Sequence, residues 1–119
     1  MNRTSPEAPL QPWNNQNRKI VQKPWGYEEW LELNDRYCYK RIKIKAGHRT
    51  SFQYHERKME TNYLIAGEAE VWLEDDAGVI QRHHLREGDY FTVAPGKKHR
   101  VIAVKDIILQ EVSTPEVDD

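Results

Sequence analysis

The amino-acid sequence predicts an all-β fold, a single-domain barrel or jelly roll. Three observations carry that expectation. About ten short stretches alternate apolar and polar residues with period two. Almost no stretch shows the 3.6-residue period of an amphipathic helix. Turn signals punctuate the chain at short intervals: Pro24-Trp25-Gly26, Gly47, Asp75-Asp76-Ala77-Gly78, Gly88-Asp89 and Ala94-Pro95-Gly96. A chain of 119 residues holds one domain with one core.

Residues 1–19, MNRTSPEAPLQPWNNQNRK, show no period and are rich in proline, asparagine and glutamine. They read as a mobile N-terminal arm, with the barrel over 20–119. Trp13 is either a pin to the body or a partner chain, or an exposed tail residue. Trp25 sits at a turn, as a platform at a site mouth or as a packing side chain that closes one end of the sheet.

The run Tyr37 to Lys45 is a strand with Ile42 and Ile44 inward. Lys40 shares their phase and points into the barrel near its rim, while Arg41, Lys43 and Lys45 point outward. After the Gly47 turn, Arg49, Ser51, Gln53 and His55 share one face and Phe52 and Tyr54 the other. Strands follow at about 61–66 and 68–74, the latter with Ala69, Val71 and Leu73 inward. The Asp75–Gly78 hairpin leads into a returning strand from Val79 to Leu85. His83 and His84 are adjacent, point to opposite faces and so are not expected to be ligands together. Residues 89–93, 99–104 and 107–112 complete the meander. In the last of these, Glu111 falls in phase with Ile107 and Leu109, an unusual place for a carboxylate unless it lies at the rim or works in the pocket.

The chemistry-bearing stretch runs from Gly47 to Gly67. Gln53 and His55 point the same way, and Glu60 returns to that face if 56–59 make a short turn. His99, beyond the Ala94–Gly96 turn, supplies a further group. Two imidazoles, a carboxylate and an amide oxygen converging on one point suit a divalent metal. The set leaves open positions and does not choose among Zn, Mn, Ni and Fe(II). The alternative is a metal-free cluster of mutually hydrogen-bonded polar groups. Around it, Lys40, Arg49, Lys58, Lys97, Lys98 and Arg100 suggest an anionic or polyhydroxylated small molecule such as a sugar phosphate.

A net charge of −1 gives no electrostatic case for nucleic acid or an acidic membrane. No apolar run reaches the ~20 residues of a membrane span. The lone Cys38 and the lack of a signal-like N-terminal segment predict a cytoplasmic protein. Phe52, Tyr54, Tyr63 and Ile65 on an outer face hint at a homodimer through packed sheets.

The spacing Gly47, five residues, Gln53-Tyr54-His55, four residues, Glu60, six residues, Gly67 resembles the first motif of the cupin superfamily, with Gln53 where the first histidine is usual. Gly88, Pro95, Gly96 and His99 resemble its second motif, with the proline displaced by one position. The resemblance implies a cupin-type double-stranded β-helix and the ligand set Gln53, His55, Glu60 and His99. Pro24-Trp25-Gly26 and the run Gln53 to Asn62 are similar to the cupin domain of mannose-6-phosphate isomerases of the guanylyltransferase-linked kind. That family commonly reads Gln-x-His-His-His-Arg-x-Glu-His-Trp. Here Glu56 and Arg57 replace the second and third histidines, Lys58 stands for the arginine implicated in catalysis, and Thr61-Asn62 replaces His-Trp. In those cupins a segment like the final STPEVDD leads into a further acidic, arginine-containing tail, so the chain is expected to lack whatever that tail contributes.

The implied activity is metal-dependent isomerisation or epimerisation of a sugar or sugar phosphate. Glu111 is then the base, Lys58 or Lys40 stabilises the developing oxyanion, and Arg49, Trp25 and Lys40 hold the substrate. A non-catalytic carbohydrate-binding or regulatory cupin and an Fe(II) dioxygenase share the same ligand set as alternatives.

Overall fold

The computed structural model describes residues 19–119. Most of the expected arm, including Trp13, lies outside the described residues. Nine strands are present among them: β1 (Lys19–Lys23), β2 (Gly26–Leu33), β3 (Cys38–Ile44), β4 (Glu60–Ala66), β5 (Glu68–Glu74), β6 (Ile80–Arg86), β7 (Tyr90–Val93), β8 (His99–Ala103) and β9 (Ile107–Ser113). No helix occurs among the described residues, so none crosses a membrane.

The strands form a six-stranded sheet in the order β1-β2-β3-β9-β4-β7 and a three-stranded sheet in the order β6-β5-β8. Every pairing is antiparallel. β3 and β9 pair residue for residue from Cys38↔Ser113 to Ile44↔Ile107. Residues 49–55, expected to follow the Gly47 turn with alternating strand faces, instead touch the small sheet through two isolated bridges, Arg49↔Ile102 and Gln53↔His99.

The alternation read from the sequence becomes the inward face of each sheet. Cys38, Lys40, Ile42 and Ile44 are buried on β3, and Ile107, Leu109, Glu111 and Ser113 on β9. Leu64, Ala69 and Val71 are fully buried between the sheets, with Phe91, Val93, Val101 and Ala103 around them. Truncating a side chain such as Leu64 to alanine typically costs about 2–5 kcal/mol. The barrel is thus apolar at one end and polar at the other, where Lys40, Glu111, Asn62, Glu60 and His99 take the inward positions.

Two chain approaches fix that shape. Gly67, at φ 93°, joins β4 to β5 where a Cβ would lie 2.1 Å from the Asp106 carbonyl oxygen. Gly26, at φ 153°, opens β2 where a Cβ would lie 2.0 Å from the Lys43 carbonyl oxygen. Only glycine fits either place.

Three expectations need correction. Lys19, assigned to the arm, is already in β1 and pairs with Trp30. β1 and β2 had no strand reading beyond the Trp25 turn. The proposed outer apolar face is not one surface: Phe52 packs edge-on against Trp72 of the small sheet, whereas Tyr63 and Ile65 are exposed on β4 of the large sheet. Phe52 departs because its segment leaves the strand path.

Candidate metal centre

The polar end of the barrel holds a cavity of about 280 Å³. Gln53, His55, Lys58, Glu60, His99 and Glu111 all contribute to its wall. His55 and His99 come from neighbouring segments, the Gly96 N–H donating to the His55 carbonyl at 2.6 Å, and their ring centres lie 5.3 Å apart. His99 begins β8, and Gln53 bridges to it with paired main-chain bonds of 3.0 and 2.8 Å. Bridge partners in an antiparallel pair project to the same side, so Gln53 and His99 both face the cavity. Glu60 begins β4, and a short turn over 56–59 returns it to the His55 face as its spacing predicts.

One donor atom from each of His55, Glu60 and His99 lies within 4.8 Å of the others, and all three residues are buried. Glu60 Oε1 is 3.4 Å from His55 Nε2 and 3.8 Å from His99 Nε2. The other ring nitrogens are committed elsewhere. His55 Nδ1 lies 3.0 Å from the main-chain oxygen of Asp119, and His99 Nδ1 lies 3.1 Å from that of Lys97. A carbonyl accepts only from N–H, so each ring, when neutral, carries its proton on Nδ1 and turns the Nε2 lone pair to the centre; a second proton, on Nε2, is what His55 donates to Glu60 when it is charged. Two Nε2 lone pairs and a carboxylate oxygen facing one another call for positive charge, and a divalent cation fits. Gln53 lines the same cavity, but its Oε1 accepts a bond from Ser51 Oγ at 3.3 Å and its side chain is more exposed than the other three.

The titration behaviour follows from this packing. Burial acts upward on the Glu60 carboxyl. The hydrogen bond from His55, the charge of Lys58 and the Asn62 Nδ2 bond of 2.8 Å outweigh it and hold the group down to about 2. The bond to Glu60 raises His55 against its burial, whereas burial lowers His99.

Behind the triad lies a second polar layer. Lys58 Nζ is 3.6 Å from Glu60 Oε1 and 3.6 Å from Glu111 Oε2. Burial would depress its ammonium, but the carboxylates of Glu111 and Glu60 raise it instead. Glu111 is 5% exposed, and its Oε2 accepts no hydrogen bond among the described residues, 3.6 Å being an ion-pair separation rather than a bond. Burial, reinforced by the charge of Glu60, pushes its carboxyl up to about 7. Lys40 is buried beside it, its Nζ 3.3 Å from Glu28 Oε1 and 4.3 Å from the centre of the Trp30 ring. The sequence placed Lys40, Lys58 and Glu111 at this site; Glu28, Trp30 and Asn62 were not foreseen. Asn62 had a signal, since it shares strand phase with Glu60 and Leu64.

The expected basic mouth is dispersed. Arg49 is exposed and does not line the cavity. It bridges Ile102, whose side chain points away from the inward Val101 and Ala103, and Thr50 and Ser51 form the wall in its place. Arg100 stacks over Phe52 and Trp72 on the outer face, Lys97 binds Asp76 and the Asp75 carbonyl, and Lys98 is exposed. Trp25 meets both readings, packing against the core and lining the cavity. His84 pairs with Glu68 on the surface, remote from the triad as expected.

The final segment is not a bystander. Asp119 accepts the main-chain N–H of Glu56, Arg57 and Lys58 on its carboxylate at 3.1, 2.5 and 2.8 Å. Val117 and Asp119 line the cavity.

Two facing antiparallel sheets enclose, at one end, a buried His-Glu-His cluster that could hold a metal ion. The chain belongs to the cupin family: residues 40–110 match the cupin domain. It is 38% identical over 60 residues to a mannose-1-phosphate guanylyltransferase of Escherichia coli, a match covering 50% of this chain and 13% of that protein. A Salmonella montevideo protein of the same name is 29% identical over 79 residues, covering 66% of this chain and 16% of that one. Among solved structures, KdgF from Halomonas sp. superposes with a TM-score of 0.77 at 21% identity, over 90% of this chain and 96% of its own. Oxalate decarboxylase of Bacillus subtilis, which has Mn(II) centres, superposes with a TM-score of 0.75 at 20% identity, over 86% of this chain and 28% of its own.

Proposed function

We propose that this cupin is a metal-dependent isomerase or epimerase of a sugar-derived small molecule, a free sugar or a sugar phosphate. The observation that carries the reading is Glu111: a buried carboxyl pushed up to about 7, with one oxygen free of hydrogen bonds among the described residues, across Lys58 from the His55–Glu60–His99 cluster. A proton carrier works best with a pKa near the working pH, and an unpartnered oxygen is what it offers to substrate.

His55, Glu60 and His99 would hold one divalent ion, with Gln53 as a fourth ligand or as the holder of a bound water. That ion would supply Lewis acidity to a carbonyl and its neighbouring hydroxyl. The chain's own groups do the rest. Glu111 takes the proton from the carbon beside the carbonyl and returns it to the former carbonyl carbon, while the hydroxyl proton passes to the former carbonyl oxygen; in an epimerisation the proton is returned from water on the opposite face. Lys58 keeps its charge through that exchange because Glu60 stays ionised beside it, and it stabilises the oxygen on which negative charge develops. Lys40, oriented by Glu28 and Trp30, binds substrate hydroxyl or acidic groups. Trp25 offers an apolar wall. The mannose-1-phosphate guanylyltransferase names of the relatives support a carbohydrate ligand.

The test is proton exchange. Free and phosphorylated hexoses are incubated with the Mn- or Zn-loaded protein in D₂O and followed by NMR. Metal-dependent loss of the C1 or C2 proton signal is expected from at least one sugar. Saturable sugar binding without exchange would instead identify a carbohydrate-binding cupin.

A further inference from the structure

The loop between the first two members of the metal cluster has no strand neighbour. Residues 56–59 lie between His55 and Glu60 outside every sheet, so their main-chain N–H groups must find partners elsewhere. All four find them in one segment. Glu56 N donates to Asp119 Oδ1, Arg57 N and Lys58 N to Asp119 Oδ2, and Met59 N to Thr114 Oγ1 at 3.0 Å. Thr114 N returns a bond to the Met59 carbonyl at 3.0 Å. Successive N–H groups that converge on one carboxylate form an anion nest, and here the anion belongs to the chain itself.

The same residue reaches the cluster directly. The main-chain oxygen of Asp119 accepts from His55 Nδ1, which fixes the ring's tautomer and plane. The carboxylate holds the backbone of Lys58, whose ammonium stands between Glu60 and Glu111. One residue therefore sets the attitude of a metal-binding imidazole and of the cation behind it.

We propose that Asp119 is a positioning residue of the metal centre, clamping the 55–60 loop so that His55 and Lys58 hold their working orientations. The inference rests only on the metal-binding half of the function proposed above. It does not require that the bound metal catalyse anything. The strap of residues 114–119 thereby takes a role that strand pairing plays for His99: it supplies the rigid frame that a ligand on a loop lacks.

The experiment compares Mn(II) affinity, by calorimetric titration, in the wild-type chain and in Asp119→Ala, Asp119→Asn and Asp118→Ala. Loss of an outer partner of a metal-binding histidine typically weakens affinity by about 10–100-fold. Asp119→Ala keeps the main-chain oxygen but removes the carboxylate that anchors residue 119 to the 56–58 amides, so that oxygen is no longer held against His55 Nδ1, and a loss of that size is expected. A smaller one is expected for Asp119→Asn, which keeps one acceptor oxygen. Asp118→Ala, a neighbouring exposed carboxylate of equal charge, is expected to bind as wild type. Two readouts separate positioning from general stability. Amide hydrogen exchange at Glu56, Arg57 and Lys58 is expected to be slow in the metal-free wild-type protein and fast in Asp119→Ala, with Leu64 and Val71 unchanged. Nitrogen NMR of the His55 ring is expected to show a single Nδ1–H tautomer that is lost in the variant. Wild-type affinity and tautomer in Asp119→Ala would overturn the proposal. So would fast exchange of the three loop amides in the wild-type chain, a measurement that stands even if the variant does not fold, and so would a wild-type chain that takes up no divalent metal. Tight metal binding without any sugar turnover would instead remove the isomerase reading and leave the clamp in place.

Discussion

Lys58 Nζ and Glu111 Oε2 lie 3.6 Å apart in the floor of the cavity, and the same ammonium is 3.6 Å from Glu60 Oε1. One cation thus serves two buried carboxylates of opposite character. Glu60 is held ionised, down to about 2, and Glu111 is pushed up to about 7. Environments that separate two neighbouring carboxyls in this way assign them different work, one as a permanent anion and one as a proton carrier. The consequences are measurable.

Replacing Glu111 with glutamine removes the proton carrier while keeping shape. Solvent exchange of the substrate proton is expected to fall by about 10²–10⁴-fold, with metal affinity within about twofold of wild type. Retention of exchange would transfer the role to another group.

The same substitution has a signature in stability. Glu111 titrates near 7 in the folded chain against 4.5 ordinarily, so its favourable contribution is complete below about 4.5 and is lost as pH climbs through 7. The metal-free Glu111→Gln variant is therefore expected to match wild type near pH 4.5 and to be more stable than it at pH 8, by on the order of 2 kcal/mol. Urea denaturation at both pH values checks this. A variant less stable than wild type at pH 8 would contradict it.

Lys40 Nζ pairs with the half-buried Glu28 Oε1 at 3.3 Å and sits over the Trp30 ring, whose Nε1 also donates to Glu28 Oε1 at 2.9 Å. Lys40→Met keeps much of the volume but strands the Glu28 charge. Glu28 keeps its Trp30 bond, so the loss of a charged partner is expected to cost about 1–3 kcal/mol, to be read by chemical denaturation at pH 7. Adding Glu28→Gln is expected to restore part of that loss. Independent, additive effects of the two substitutions would show that the pair is not coupled.

How much of this was legible follows from where strand phase holds. In β3 and in β9 the alternation runs unbroken, and the inward residues, Lys40 and Glu111 among them, could be read directly. β2 escaped because its cavity-facing residues are Glu28 and Trp30, so its inner side serves the pocket and carries no apolar stripe. His55, Glu60 and His99 were legible from spacing alone. Arg49 was misplaced because the segment after Gly47 drops its regular phase before Gln53 bridges to His99. Asp119 left no signal: it meets Glu56 across 63 positions of sequence, through main-chain atoms that no residue pattern encodes.

Metal uptake should itself depend on pH. His55 is raised by its bond to Glu60 and must shed its proton before Nε2 can bind a cation. Protons and metal compete for one place, so affinity is expected to fall at least tenfold between pH 7.5 and 5.5, by roughly one proton per ion bound. A flat affinity over that range would place the ion elsewhere.

The central claim is that His55, Glu60 and His99 hold one divalent ion, and the most direct measurement is metal stoichiometry and affinity in purified protein. Calorimetric titration of the apo chain with Mn(II) and Zn(II) is expected to give one site per chain. Each of His55→Ala, Glu60→Gln and His99→Ala should weaken it by about 100-fold or more. A wild-type chain that binds neither ion, or three variants that bind as tightly as wild type, would contradict the account.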